Sequence, residues 1–173
     1  MTRARVLIVA DTHGSVDARI AALARGCDLV VHGGDIGDAA VLGALGCAVV
    51  AVRGNNDVAS KWPQQQRCLL DALPEQAEID LPGGRLAVVH GDRWPTRGRH
   101  AALRRAFAAA RAVVYGHSHR LLVDQELQPW LLNPGAAGRA RTHGGPSCLL
   151  LEASAQEWCV VPQRYDGGYC AAI

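Results

Sequence analysis

The feature that most constrains this chain is a repeated junction, in which a short apolar, β-branched run stops at a cluster of glycine and polar residues. Residues 6–10 end in Asp11-Thr12-His13-Gly14, residues 28–32 in Gly33-Gly34-Asp35, and residues 48–52 lead into Gly54-Asn55-Asn56-Asp57. Two later runs, 85–90 and 112–115, close on His90-Gly91 and Gly116-His117-Ser118-His119. Runs of this length and composition read as buried strands. Residues 16–24 and 38–45 carry apolar residues at helical spacing between them, so the first third alternates strand and helix, the pattern of a largely parallel α/β sheet. In such sheets ligands collect at the carboxyl ends of strands. Five such ends in one chain are expected to converge on a single point.

The rest of the chain reads differently. Residues 61–67 form a Trp-Pro and Gln-rich stretch, 77–81 and 85–90 flank Pro82-Gly83-Gly84 as a hairpin, and 98–110 is an Ala-rich, Arg-paired stretch expected as a solvent-facing helix. Segments 121–125, 130–132, 147–153 and 157–162 read as strands without helices between them. The expectation is a parallel half followed by an antiparallel half. At 173 residues the chain is long enough for one substantial core and short for two, so a single domain over 1–173 is expected. The last residues, 165–173, read either as an irregular tail or as a cover over a sheet edge.

Asp11, His13, Asp35, Asn55, His90, His117 and His119 supply carboxylates, imidazoles and one amide, which is the donor set of a metal site. Mixed N/O ligation without thiolate suits Mn, Fe, Ni, Co or Zn in an open site better than a structural zinc cage. Seven ligands exceed what one such ion takes, so two ions sharing one carboxylate is the economical arrangement. Asp35 is the expected bridge, with the preceding glycine leaving room for close backbone approach. Each residue alone has a plainer reading: a strand-end Asp caps helices, and a lone His packs. The combination of Asp-x-His and His-x-His with three further polar strand ends is what capping and packing do not explain. Asp57 is read as an acceptor orienting Asn55 or its loop, or as a turn former. His32 is expected to pack near the site, Asp92 to sit in a turn, and His100 and His143 to lie on the surface.

Composition narrows the function classes. A net charge of +2 is too small to argue for a nucleic-acid partner, which stays open. Of 18 basic residues only Lys61 is lysine; Arg suits phosphate, although a GC-rich coding sequence gives the same bias. Arg53 is a phosphate-contact candidate, and Arg93, Arg97, Arg99, Arg104, Arg105 and Arg111 read as a positive rim or as a solvated helix. The six cysteines form no C-x-x-C pair, and several, such as Cys148, sit among apolar neighbours and read as buried thiols of a reducing compartment. The apolar stretch after the basic N-terminus is shorter than the roughly 7 residues a secretory h-region needs and the about 20 a membrane helix needs. A cytoplasmic location and no membrane partner are expected.

The order Asp-x-His, Gly-Asp, Gly-Asn-x-Asp, His-Gly, Gly-His-x-His, then Asn133-Pro134-Gly135 resembles the calcineurin-like metallophosphoesterase superfamily, specifically its small YfcE-like branch. The resemblance spans residues 5–162 and implies a four-layer α-β-β-α sandwich with mixed sheets. It implies one ion on Asp11, His13, Asp35 and His119 and a second on Asp35, Asn55, His90 and His117, with manganese foremost. It further implies a phosphodiesterase in which a metal-bridging hydroxide attacks phosphorus in line. Asn55, His90 and Asp57 are the residues assigned to catalysis. Many members carry His where this chain has Asn56, and an amide cannot act as general acid, so diesters with good leaving groups are favoured over monoesters. The expected partner is a small phosphorylated molecule, nucleotide-derived among the options, with a homo-oligomer left open. A non-catalytic scaffold, as in the related retromer subunit, is the alternative. Protein phosphatases of the superfamily carry Gly-Asp-x-x-Asp-Arg-Gly, whereas this chain has Gly34-Asp35-Ile36-Gly37-Asp38-Ala39-Ala40.

Overall fold

A computed structural model describes residues 2–166 of the chain. The reading of the tail therefore falls outside the described residues from position 167 onward, together with Cys170.

The strands are β1 (Arg3–Val9), β2 (Leu29–His32), β3 (Val49–Ala51), β4 (Gln76–Leu81), β5 (Gly84–Val89), β6 (Ala112–Tyr115), β7 (Leu121–Asp124), β8 (Trp130–Pro134), β9 (Ser147–Ser154) and β10 (Trp158–Arg164). The helices are α1 (Ala18–Ala24), α2 (Ala39–Ala44), α3 (Arg67–Ala72) and α4 (Arg99–Ala106). Two five-stranded sheets result, ordered β10-β9-β1-β2-β3 and β4-β5-β6-β8-β7.

The alternation of strand residues between faces builds the layers. In β1, Ala4, Val6 and Ile8 point into a core between the sheets, where they meet Leu86 and Val88 of β5 and Val114 of β6. The intervening Leu7 and Val9 pack outward on Ile20 and Ala24 of α1. Ala87 and Val89 of β5 pack outward in the same way on Leu103 and Phe107. Helix, sheet, sheet, helix is therefore the observed order, as the resemblance implies. Asp17 and Asp38 start α1 and α2 by accepting the backbone N–H groups of Arg19 and Ala40 at 2.9 and 2.8 Å.

Three expectations need correction. The chain is not a parallel half followed by an antiparallel one: β5, β6 and β8 run parallel in the second sheet, while β9 returns to pair antiparallel with β1 in the first and β10 pairs antiparallel with β9. Apolar pattern reports which faces are buried but not which neighbour a strand chooses. The second correction is α3, inside a region read without a helix; its one buried residue, Leu70, joins Ile36, Val41 and Trp62, too few positions to show a period. The third is α4, which is not merely solvent-facing, since Arg99 and Leu103 are buried. The five described cysteines are all free, and no helix among the described residues is long and apolar enough to cross a membrane.

Candidate functional site

The loops that follow β1, β2, β3, β5 and β6 meet at one edge of the sandwich, and backbone hydrogen bonds tie them together. Asp11 N–H donates to Gly34 O at 2.9 Å, His13 N–H to Asp35 O at 2.9 Å, and Gly116 N–H to His90 O at 2.9 Å. The cost of this convergence shows in the backbone. Among the described residues the non-glycine positions at positive φ are Asp11, His13, Asp35, His117, His119 and Arg141, with φ between 47° and 66°. Such conformations persist only where surrounding structure enforces them, and they concentrate at functional sites. Close approach also explains two glycines. A Cβ on Gly34 would stand 2.7 Å from His90 Nδ1, and one on Gly54 would stand 2.2 Å from Asp35 N.

All seven residues picked out in the sequence enter this cleft, in two groups that share Asp35. The first group holds Asp11, His13, Asp35 and His119, whose candidate donor atoms lie within 4.8 Å of one another and could hold a metal ion. His119 Nδ1–H donates to the Arg141 carbonyl at 3.1 Å, so the Nε2 lone pair points inward, 3.4 Å from Asp11 Oδ1 and 3.3 Å from His13 Nε2. Asp11 is fully buried, and its Oδ2 has no hydrogen-bond partner. Burial pushes the Asp11 carboxyl up to about 7, with His90 opposing and the Asp35 charge adding to the rise.

The second group holds Asp35, Asn55, His90 and His117. His90 Nδ1–H donates to Gly33 O at 2.9 Å, which turns Nε2 toward Asn55 Oδ1 at 3.0 Å and Asp35 Oδ1 at 3.5 Å. His117 Nδ1 lies 2.9 Å from the same Asn55 oxygen. With its Nδ1–H committed to Gly33 O, His90 turns Nε2 toward two oxygens, which is unfavourable unless a proton or a cation joins them. Burial alone would lower the His90 pKa, yet the hydrogen bond and charge of Asp35, with Asp11 behind, hold it up at about 9. Burial likewise pushes Asp35 up, but His90 and two hydrogen bonds from Asn56 outweigh it and keep Asp35 well below the usual carboxylate range. A cluster that retains a carboxylate and draws a proton onto its imidazole is one that fits a cation.

Residues behind the cleft hold it in shape. Asp57, 1% exposed, accepts N–H groups from Ile36, Gly37, Gly54 and the Trp62 indole at 2.9–3.1 Å. Its carboxylate is occupied in joining two loops, so it acts on the Asn55 loop and not on the Asn55 side chain. Asn56 donates its backbone and amide N–H to the two Asp35 oxygens, both at 2.7 Å, and accepts from Lys61. His32 is buried as expected: Nδ1 accepts Gly34 N–H at 3.2 Å, leaving Nε2–H to donate to Thr12 Oγ1 at 2.9 Å. Asn133 donates to Gly116 O and Ser118 Oγ, both at 3.0 Å, fixing the loop that carries His117 and His119.

Arg53 lines the groove beside Asn55 and His90, with its guanidinium donating to Leu70 O at 2.7 Å and pairing with Asp71 at 3.5 Å. Of the six rim arginines, Arg93 pairs with Glu75 at the groove, Arg104 pairs with Asp124 at 2.7 Å, Arg111 packs over Trp130 and Trp158, Arg99 is buried, and Arg97 and Arg105 are exposed. His100 is half-buried against the Tyr115 hydroxyl at 2.8 Å, not at the surface. Arg141 is the residue that sequence reasoning missed. A groove of about 380 Å³ opens beside Asn55 and His90 and continues past Asp92, Arg93 and Trp94.

Two mixed sheets that present an Asp-His cluster at their strand ends define a class, the α/β sandwiches with a site fit for metal ions. The model of the calcineurin-like phosphoesterase superfamily domain matches residues 4–156, and the chain belongs to this family. Vps29 from Entamoeba histolytica complexed with zinc has a TM-score of 0.70 at 23% identity, over 94% of this chain and 98% of that one. A predicted phosphoesterase from Streptococcus pneumoniae TIGR4 gives 0.69 at 21%, over 96% and 95%. An archaeal phosphodiesterase gives 0.66 at 20%, over 92% and 99%. No curated protein matches the sequence.

Proposed function

We propose that this chain is a two-metal phosphoesterase and that it prefers phosphodiesters to phosphomonoesters. The observation that carries the reading is the pair of acceptor clusters joined at Asp35. Asp11, His13, Asp35 and His119 would hold one ion and Asp35, Asn55, His90 and His117 the other; manganese suits the mixed N/O donors, as do iron, nickel, cobalt and zinc. Bound ions would supply Lewis acidity toward the phosphoryl oxygens and lower the pKa of an attacking water.

The chain's own residues do the remaining work. Gly33 O and Arg141 O fix the tautomers of His90 and His119, and Asn56 and Asp57 fix the loops that carry Asp35 and Asn55. Asn56 offers no titratable proton, so departure of a basic alkoxide is unassisted at that position. The groove beside Asn55 has room for the second substituent that a diester carries. Free cysteines agree with a reducing, cytoplasmic setting, and the core shared by both sheets agrees with one domain. The likeness to Vps29 motivates the second reading, a scaffold that binds another protein.

Aryl phosphodiesters of graded leaving-group pKa, assayed with added Mn²⁺, test the proposal. The expected outcome is turnover that exceeds that of the matching monoesters and falls steeply as leaving-group pKa rises. Folded protein without turnover under any divalent ion would reject it in favour of the scaffold.

A further inference from the structure

Arg141 combines three features. It sits at φ 54°, its carbonyl accepts the Nδ1–H of His119 at 3.1 Å, and its exposed guanidinium reaches back into the cleft, placing Nη2 2.8 Å from His13 Nε2. Arg141 pairs with no carboxylate among the described residues, and its guanidinium is the one that reaches the first group of candidate ligands. The same Nη2 lies 3.4 Å from His13 Nδ1, so the guanidinium rests against the His13 ring and its charge meets no strong acceptor.

A divalent ion held by the first group would stand within a few ångströms of this guanidinium, and the two cations would repel. The loop backbone is held by the His119 contact, so the side chain can leave His13 without leaving the cleft. A forked cation displaced by a few ångströms at the rim of a metal centre is suited to the non-bridging oxygens of a phosphate ester.

We propose that Arg141 is an anion-binding residue that exchanges partners: its guanidinium rests against the His13 ring while the first group carries no ion, and donates to a phosphoryl oxygen once ion and substrate are in place. The inference rests on the two-ion reading above. It assigns opposite signs to one substitution, because removing the guanidinium relieves repulsion of the metal ion and deprives phosphate of a donor.

The test uses the full chain, stripped with chelator, with Arg141→Gln and Arg141→Lys compared by calorimetry after thermal melts establish that both fold. Mn²⁺ titration comes first and inorganic phosphate titration of the Mn²⁺-loaded protein second. Arg141→Gln is expected to bind Mn²⁺ several-fold more tightly and phosphate about 10- to 100-fold more weakly, the range of a lost charge-assisted hydrogen bond. Arg141→Lys, which keeps charge without the fork, is expected to fall between. Phosphate affinity equal to that of the parent, or both affinities weakened together, overturns the inference and leaves the metal site standing. A parent chain that binds no Mn²⁺ removes the site reading and this inference with it.

Discussion

The two groups that meet at Asp35 differ in charge and in cover. The first offers two carboxylates and two imidazoles, with Asp11 buried and Arg141 lying over His13. The second offers one carboxylate, one amide and two imidazoles, with Asn55 exposed beside the groove. Coulombic attraction for a divalent ion grows with formal charge and with exclusion of water. On the proposed two-metal reading the first group would retain an ion and the second would exchange one and meet substrate, a strong and a weak site joined by one aspartate.

The largest effect is expected from removing what both groups share. Asp35→Asn should abolish stoichiometric Mn²⁺ binding at both and lower diesterase turnover on the order of 10³-fold or more; a variant that still binds two equivalents would break the comparison. Separating the groups gives a smaller effect. Asn55→Ala should keep one tight equivalent of Mn²⁺, lose the weaker one and slow turnover about 10²-fold, whereas Asp11→Asn should weaken the tighter equivalent, both read by calorimetry. Equal losses from the two variants would show that the groups are equivalent after all.

The smallest effect concerns the support behind the cleft. Burial lowers the His32 pKa to about 4, against an unfolded value near 6.5, so between those values the unfolded chain holds more proton. The stability contributed by neutral His32 is complete above about pH 6.5, declines as pH falls and levels off below about pH 4, a span of about 3 kcal/mol. Asp11, raised to about 7, acts with the opposite sign in part of the same window. The quantity to measure is thus the difference in unfolding free energy between parent and His32→Asn in chelator, which should change with pH in the His32 direction. A pH-independent difference would show that His32 is not the buried, neutral group described.

Strand-end motifs were legible in the sequence because ligand chemistry restricts residue type. Asp11, His13, Asp35, Asn55, His90, His117 and His119 stood out by identity, and all seven reach the cleft. Arg141 carried no such signal: one arginine among many, in a loop, gains its meaning only from a carbonyl 3.1 Å from His119 and a guanidinium 2.8 Å from His13. Arg53 was partly legible, since nearness in sequence to Asn55 does place it in the groove, while its partners Leu70 O and Asp71 are set by the fold. The role of Asp57 was half legible, because a carboxylate after Gly-Asn-Asn reads as a turn but its bonds to Ile36, Gly37 and Trp62 are made across loops.

The sequence by itself determined the alternation of apolar runs, the kind of atoms the strand ends would offer and the absence of a titratable acid at Asn56. These are local or compositional properties, set by side-chain chemistry and by the period of burial. Tertiary structure alone decided the return of β9 and β10 to the first sheet, the left-handed backbone at five of the seven cleft residues, and the division of the ligands into a buried and an open group. Each of those depends on which loop packs against which, a choice made by long-range packing that no local pattern encodes.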